Sequence, residues 1–151
     1  MTSKYKINDI KDILDGGIDA LKFLTTVLHF DPSSNDNQLL KLASEKGHDR
    51  VVELLLKDPR VDPSADDNLA IRWASRFGNH KVVELLLKQP KVDPSADDNE
   101  AIREASENGH EKVVELLLKH TKVDPSANHN VAIGVASENG HTKVANLLRK
   151  D

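Results

Sequence analysis

Histidines, serines and paired aspartates are the residues of this chain that could do chemistry. His48, His110 and His141 each follow a glycine at the same place in a recurring pattern, and His80 is displaced from that place by one. With Asp66-Asp67 and Asp97-Asp98 they are types that bind divalent metals or move protons. Their spacing supports neither role. No histidine has a second one at i+4 or a carboxylate in a ligand motif such as His-Glu-x-x-His. The aspartates lack calcium-loop spacing. Ser44, Ser75, Ser106 and Ser137 recur at one interval, which marks a packing position rather than a nucleophile. There is no phosphate-binding glycine loop. The absence of cysteine excludes disulfides, thiolate zinc sites and a cysteine nucleophile together. The expectation is a chain without catalysis, cofactor or resident metal. The aspartate pairs stay open between solvated turn residues and an anionic patch for a basic partner or a cation.

The 151 residues suit one domain with a real core. Charged residues make up 30% and the net charge is −4, so nothing electrostatic points to nucleic acid. Aromatic residues are 3%, too few for a platform that stacks single-stranded bases. No apolar run approaches the roughly 20 residues that span a bilayer. Residues 1–11 are polar and lack the apolar core of a secretory signal. A cytoplasmic or nuclear protein, not bound to membranes, is expected.

The elements that must position these residues follow from a repeat of 31 residues. Phe30-Asp31-Pro32-Ser33, Val61-Asp62-Pro63-Ser64, Val92-Asp93-Pro94-Ser95 and Val123-Asp124-Pro125-Ser126 open four units. Each continues to an asparagine (Asn37, Asn68, Asn99, Asn130), a short helical stretch, a glycine (Gly47, Gly78, Gly109, Gly140) and a second helical stretch. In the second unit, Asn68 is a predicted N-cap for a helix over 69–77, with Ala70, Ile71 and Ala74 as its packing side. Gly78 suits the left-handed end of that helix. Residues 81–88 are the predicted second helix, with Val82, Val83, Leu85, Leu86 and Leu87 as its hydrophobic load. Pro90 and Pro94 stop helix and bound a turn. Helices this short are marginal alone and must stack on their neighbours. The units are read as 30–60, 61–91, 92–122 and 123–151. In the last, Ala145 and Arg149 stand where Val83 and Leu87 stand in the second, making its outer face more polar. Residues 1–29 read as N-terminal capping helices.

A helix, a glycine turn, a Val-Val-x-Leu-Leu-Leu helix and an extended finger resemble the ankyrin repeat. The resemblance is clearest from Ala105-Ser106-Glu107-Asn108-Gly109-His110 through Val113-Val114-Glu115-Leu116-Leu117-Leu118, and covers about residues 30–151. It implies an all-α solenoid of helix pairs with short extended or turn fingers. There are departures. Glu100-Ala101-Ile102-Arg103 replaces the family's Thr-Pro-Leu-His start, and the unit is about two residues shorter than the usual 33. Pro59, Pro90 or Thr121 replaces the glycine after the second helix. These leave the shape of the finger open, not the helix pair. The short finger is similar to that of ankyrin arrays in giant viruses and protists, or of an engineered relative. The recurring histidine resembles the family's structural histidine.

The resemblance implies that first helices and finger tips line a concave groove where another protein binds. Comparing units shows which groove positions vary. Leu69, Trp73 and Phe77, spaced i, i+4, i+8, form one stripe, whereas the next unit has Glu100, Glu104 and Asn108 there. An aromatic pair on a variable face is what an interface hot spot looks like. The alternative is that Trp73 packs on Leu42 of the preceding unit and Phe77 caps a helix end. Arg76 either contacts the partner or stands in a Glu45–Arg76–Glu107 ladder, and Arg103 can pair with Glu107 in its own helix. With Glu45, Lys46, Asp66, Glu104, Glu107 and Asn108, the residues Leu69, Trp73, Arg76 and Phe77 make the expected binding set of a monomeric interaction module. A structural or engineered scaffold without its own ligand is the alternative.

Overall fold

Proline and glycine punctuate this chain too often for a long helix. The computed structural model describes residues 29–150 together with Leu14. Among the described residues eight helices follow one another: α1 (Ser34–Lys46), α2 (Asp49–Leu56), α3 (Ala65–Arg76), α4 (His80–Leu87), α5 (Ala96–Glu107), α6 (Glu111–Leu118), α7 (Ala127–Glu138) and α8 (Thr142–Arg149). The described residues contain no strand. The fold is an all-α repeat solenoid. The capping helices expected over residues 1–29 lie, apart from Leu14 and His29, outside the described residues.

Each helix packs on its equivalent in the next pair. The odd-numbered helices α1, α3, α5 and α7 form one layer and the even-numbered helices a second. Ala43, Ala74, Ala105 and Ala136 are fully buried where the first layer closes up, because a methyl side chain lets two helices approach. Leu40, Ile71 and Ile102 fill the space beside them, and Leu55, Leu86 and Leu117 do so from the second layer. At the last pair Ala145 is itself buried, while Arg149 is exposed and donates to Ser137 Oγ at 3.3 Å. The polar outer face expected there therefore comes from Arg149 and not from Ala145, which is core.

The N-cap role expected of Asn68 is not what forms. Asp66, Asp67 and Asn68 all have left-handed backbones, with φ of 52°, 54° and 61°, and right-handed helix begins only at Leu69. The same three-residue left-handed turn occurs at Asn35-Asp36-Asn37, Asp97-Asp98-Asn99 and Asn128-His129-Asn130. Asparagine and aspartate tolerate this region better than other residues with a Cβ, which is why they fill the finger. The turn aims the asparagine at the next unit. Asp93 N–H donates to Asn68 Oδ1 at 2.7 Å, as Asp62 does to Asn37 and Asp124 to Asn99, both at 2.8 Å. Each of these aspartates in turn accepts from the N–H and hydroxyl of the serine two residues on, Asp93 from Ser95 at 3.0 and 2.6 Å.

The glycines end the first helices as expected. Gly78 has φ 73°, its N–H donates to Ser75 O, and Asn79 N–H donates to Ala74 O. This left-handed end satisfies the last carbonyls of α3. A Cβ on Gly78 would also come within 2.5 Å of the His110 ring, so the position is closed on two counts.

Two predictions follow from this packing. Leu86→Ala and Leu117→Ala, both at fully buried sites, are each expected to cost about 2–5 kcal/mol in chemical denaturation. The second concerns pH. The Ser95 hydroxyl foremost, then the Ser95 N–H with Lys122 and His120, holds Asp93 below the ordinary carboxylate value against the opposing effect of burial. Asp31, Asp62 and Asp124 are lowered in the same way by Ser33, Ser64 and Ser126. A lowered folded pKa means stability that is present above about pH 4 and lost as pH falls through the folded value. Asp93→Asn is therefore expected to melt below wild type at pH 7, and the gap in Tm is expected to close as the pH falls through the lowered folded value of Asp93.

Candidate protein-binding face

Helix α3 turns Ala70, Ile71, Ala74 and Ser75 into the interior, so its remaining side chains face outward. Leu69 and Trp73 are half-buried and belong neither to the core cluster nor to the apolar residues packed on it; Leu42, by contrast, is packed on it. Phe77 is 50% exposed, and no other large hydrophobic residue among the described ones is exposed. The Arg76 guanidinium carbon lies 5.9 Å from the Phe77 ring centroid, within the range of cation–π attraction. The three side chains thus run along one outward edge of the first-helix layer.

Ion pairs across this layer differ from those expected. Arg76 makes no Glu45–Arg76–Glu107 ladder. It reaches Glu104 of the next unit at 3.7 Å, because the longer guanidinium arm spans to the facing side chain one turn earlier on α5. Glu45 pairs instead with its neighbour Lys46 at 3.3 Å. The side chain of Glu107 is exposed, and its backbone carbonyl accepts from Asn139 Nδ2 and His141 Nε2. Asn108 is exposed and donates through Nδ2 to Glu104 O at 2.8 Å, closing the end of its own helix. The Arg103–Glu107 pair does not form; among the described residues no carboxylate lies within 4 Å of the Arg103 guanidinium.

A second set of charges crosses the units at the foot of the first helices. Lys41, itself buried, donates to Asp66 of the next finger. Arg72 occupies the equivalent place one unit on. It pairs with Asp97 at 2.7 Å and with Glu100, and also donates to Asp67 O at 3.3 Å. Burial, and then the hydrogen bond to Asp97, push the Glu100 carboxyl above its ordinary value, with Arg72 pulling the other way. The hydrogen bond to Asp66 raises Asp36 similarly. Asp66 and Asp97 are thereby held by cations of this chain. Among the described residues no group of three histidine or acidic side chains is disposed to hold a metal. The recurrence of Lys41, Arg72 and Arg103 at one spacing is visible in the sequence, but only the left-handed finger shows which acids they meet.

Two of the recurring histidines serve the stack. The His110 Nε2 donates to Arg76 O at 2.9 Å and the His141 Nε2 to Glu107 O at 3.0 Å, each a carbonyl at the end of the preceding first helix. Asn79 stands at this place in its unit and donates to Ser44 O and Glu45 O, both at 2.8 Å. His80, displaced by one, takes no part in this contact. Ser44, Ser75 and Ser106 are fully buried, and Ser106 Oγ donates back to Ile102 O.

A family model described as ankyrin repeats in three copies matches residues 13–98 and again 71–151. Among curated proteins none matches the chain. Ankyrin repeats are in general protein–protein interaction modules, and no helix of the described residues is long and apolar enough to cross a membrane. With helix pairs that stack layer on layer across glycine turns, and a match that extends over nearly its whole length, the chain belongs to the ankyrin repeat family.

Proposed function

We propose that this chain is a non-catalytic module that holds another protein in its concave groove, on the outward edge of α3. The observation that carries the reading is Phe77, exposed beside half-buried Leu69 and Trp73 on a stripe that the next unit replaces with Glu100, Glu104 and Asn108. A fold that also stacks with polar side chains at these places does not need the aromatics, so their presence calls for another explanation. Aromatic side chains with a neighbouring arginine are the usual energetic centre of a protein interface. Arg76, Glu104, Glu107 and Asn108 provide the polar rim on one flank, and Glu45, Lys46 and Asp66 on the other. The module acts as a monomer in the cytoplasm or nucleus and takes no cofactor or nucleic acid.

A scaffold without a ligand of its own is the second reading. Units two and three differ at few positions, as recent duplication or design would leave them.

The two readings differ in what the stripe is for. Trp73→Ala is expected to destabilise the fold by clearly less than Leu86→Ala. A loss as large as that of Leu86→Ala would place the ring in the fold's service and sink the binding reading. In quantitative pull-downs, a Trp73→Ala/Arg76→Glu/Phe77→Ala variant of unchanged helical content should lose a protein that wild type retains. Equal retention by both would favour the scaffold.

A further inference from the structure

The foot of the first helix carries a cation in the first three units, and the scaffold supplies it with a carboxylate twice but not a third time. Lys41 takes Asp66, and Arg72 takes Asp97 together with Glu100. The residues that would do the same for Arg103 are Asn128 and Val131, which carry no charge. The acids of its own helix are engaged elsewhere, Glu100 by Arg72 and Glu104 by Arg76. Glu107 is four residues on and makes no pair with it. Arg103 is nonetheless half-buried, beside a cleft that Asp98, Asn99, Asn128 and Val131 also line. That cleft has room for about one water, with a volume of about 10 Å³, so it holds no free ligand. Arg103 is only half-buried, so a carboxylate of another molecule can reach the guanidinium from its solvent side.

We propose that Arg103 is an open carboxylate socket in the first-helix layer, filled in the complex by an aspartate or glutamate side chain of the bound protein. The inference rests on the groove-binding reading and specifies the chemistry of the partner. A guanidinium takes a carboxylate through two parallel hydrogen bonds, the arrangement the chain itself builds from Arg60, whose Nε and Nη2 donate to Asp58 Oδ1 and Oδ2 at 3.0 and 2.7 Å. Half-buried Val131 replaces Glu100 as one wall, and an apolar wall strengthens such a pair by keeping water away. Asp98 and Asp124, which line the same cleft without pairing with Arg103, disfavour a second negative group, so one carboxylate is expected. The partner would then present an apolar anchor toward Trp73 and Phe77 with an acidic residue beyond it, across α5.

The test has two arms. The first needs no partner. Asn128→Asp/Val131→Glu rebuilds the acids that Arg72 meets and is expected to raise Tm, but not in an Arg103→Gln background. Equal shifts in both backgrounds would show that Arg103 cannot take a carboxylate there and would overturn the proposal. The second arm uses a displayed random peptide library selected on wild type. Enriched peptides are expected to share an apolar anchor and one Asp or Glu. Exchanging that acid for its amide should weaken binding about tenfold or more on wild type and leave it unchanged on Arg103→Gln and on Asn128→Asp/Val131→Glu. Peptides that depend on Trp73 and Phe77 but show no acid preference would overturn the socket and leave the groove standing. If no peptide depends on Trp73 or Phe77, the groove reading falls and the socket with it.

Discussion

Asparagine Oδ1 accepts the backbone N–H of the aspartate 25 residues ahead at Asn37, Asn68 and Asn99, and the stack depends on this contact. Asn37 and Asn68 are buried, so leaving the carbonyl or the N–H unpaired would cost about 1–3 kcal/mol each. The bond can form only if the finger turns left-handed, because that turn carries the asparagine across to the neighbouring unit. The aspartate that donates its N–H then uses its carboxylate to hold the serine two residues on, fixing the entry to the next left-handed turn. Each unit thus presets the geometry of the one after it. Register between units becomes a matter of hydrogen bonds rather than of apolar packing, which alone would tolerate small slips.

The second helices are tied by a different device. The residue after the terminating glycine sends its side chain back to the preceding unit, where carbonyls at the end of the first helix would otherwise face solvent or nothing. Histidine does this through Nε2 at His110 and His141, and asparagine through its amide at Asn79. The glycine is required by both functions at once. Its backbone must be left-handed to end the helix, and its missing Cβ leaves room for the ring of the next unit. At Gly47, Gly78 and Gly109 both demands apply, the side chain in the way being that of Asn79, His110 or His141, whereas at Gly140 nothing lies within 4 Å of a Cβ and only the left-handed backbone, with φ of 77°, calls for glycine.

Much of this was legible in the sequence, for identifiable reasons. Helix pairs, glycine ends and the buried face of Ala70, Ile71 and Ala74 follow from periodicity, and periodicity is a local property. Asn68 misled because an asparagine before an apolar stretch is an N-cap in most contexts. Its use here as a bridge requires knowing what lies 25 residues further on. The same limit applies to charges. Glu45, Arg76 and Glu107 are equivalent positions and so look like a ladder, yet side-chain reach sends Arg76 to Glu104 one turn away. For Lys41 and Arg72, the residues that bind the fingers to the first helices, helical spacing does not identify the partner: Lys41 has Glu45 four residues on and does not use it. Their partners belong to the next unit.

Repetition changes what an unpaired residue means. In an irregular fold a half-buried arginine without a carboxylate is one of many local arrangements and carries little information. Here the chain builds the same corner three times from nearly the same residues, so the first two corners act as controls for the third. The difference at Arg103 is confined to the facing side chains Asn128 and Val131, while the backbone of the finger keeps its left-handed turn, with φ of 51°, 60° and 66° over Asn128, His129 and Asn130. A stack that retained the cation for stability alone would gain more from keeping its acid, or from losing the charge altogether as the fourth unit does with Gly134. Keeping the arginine while removing both acids is the pattern expected when the carboxylate comes from another molecule.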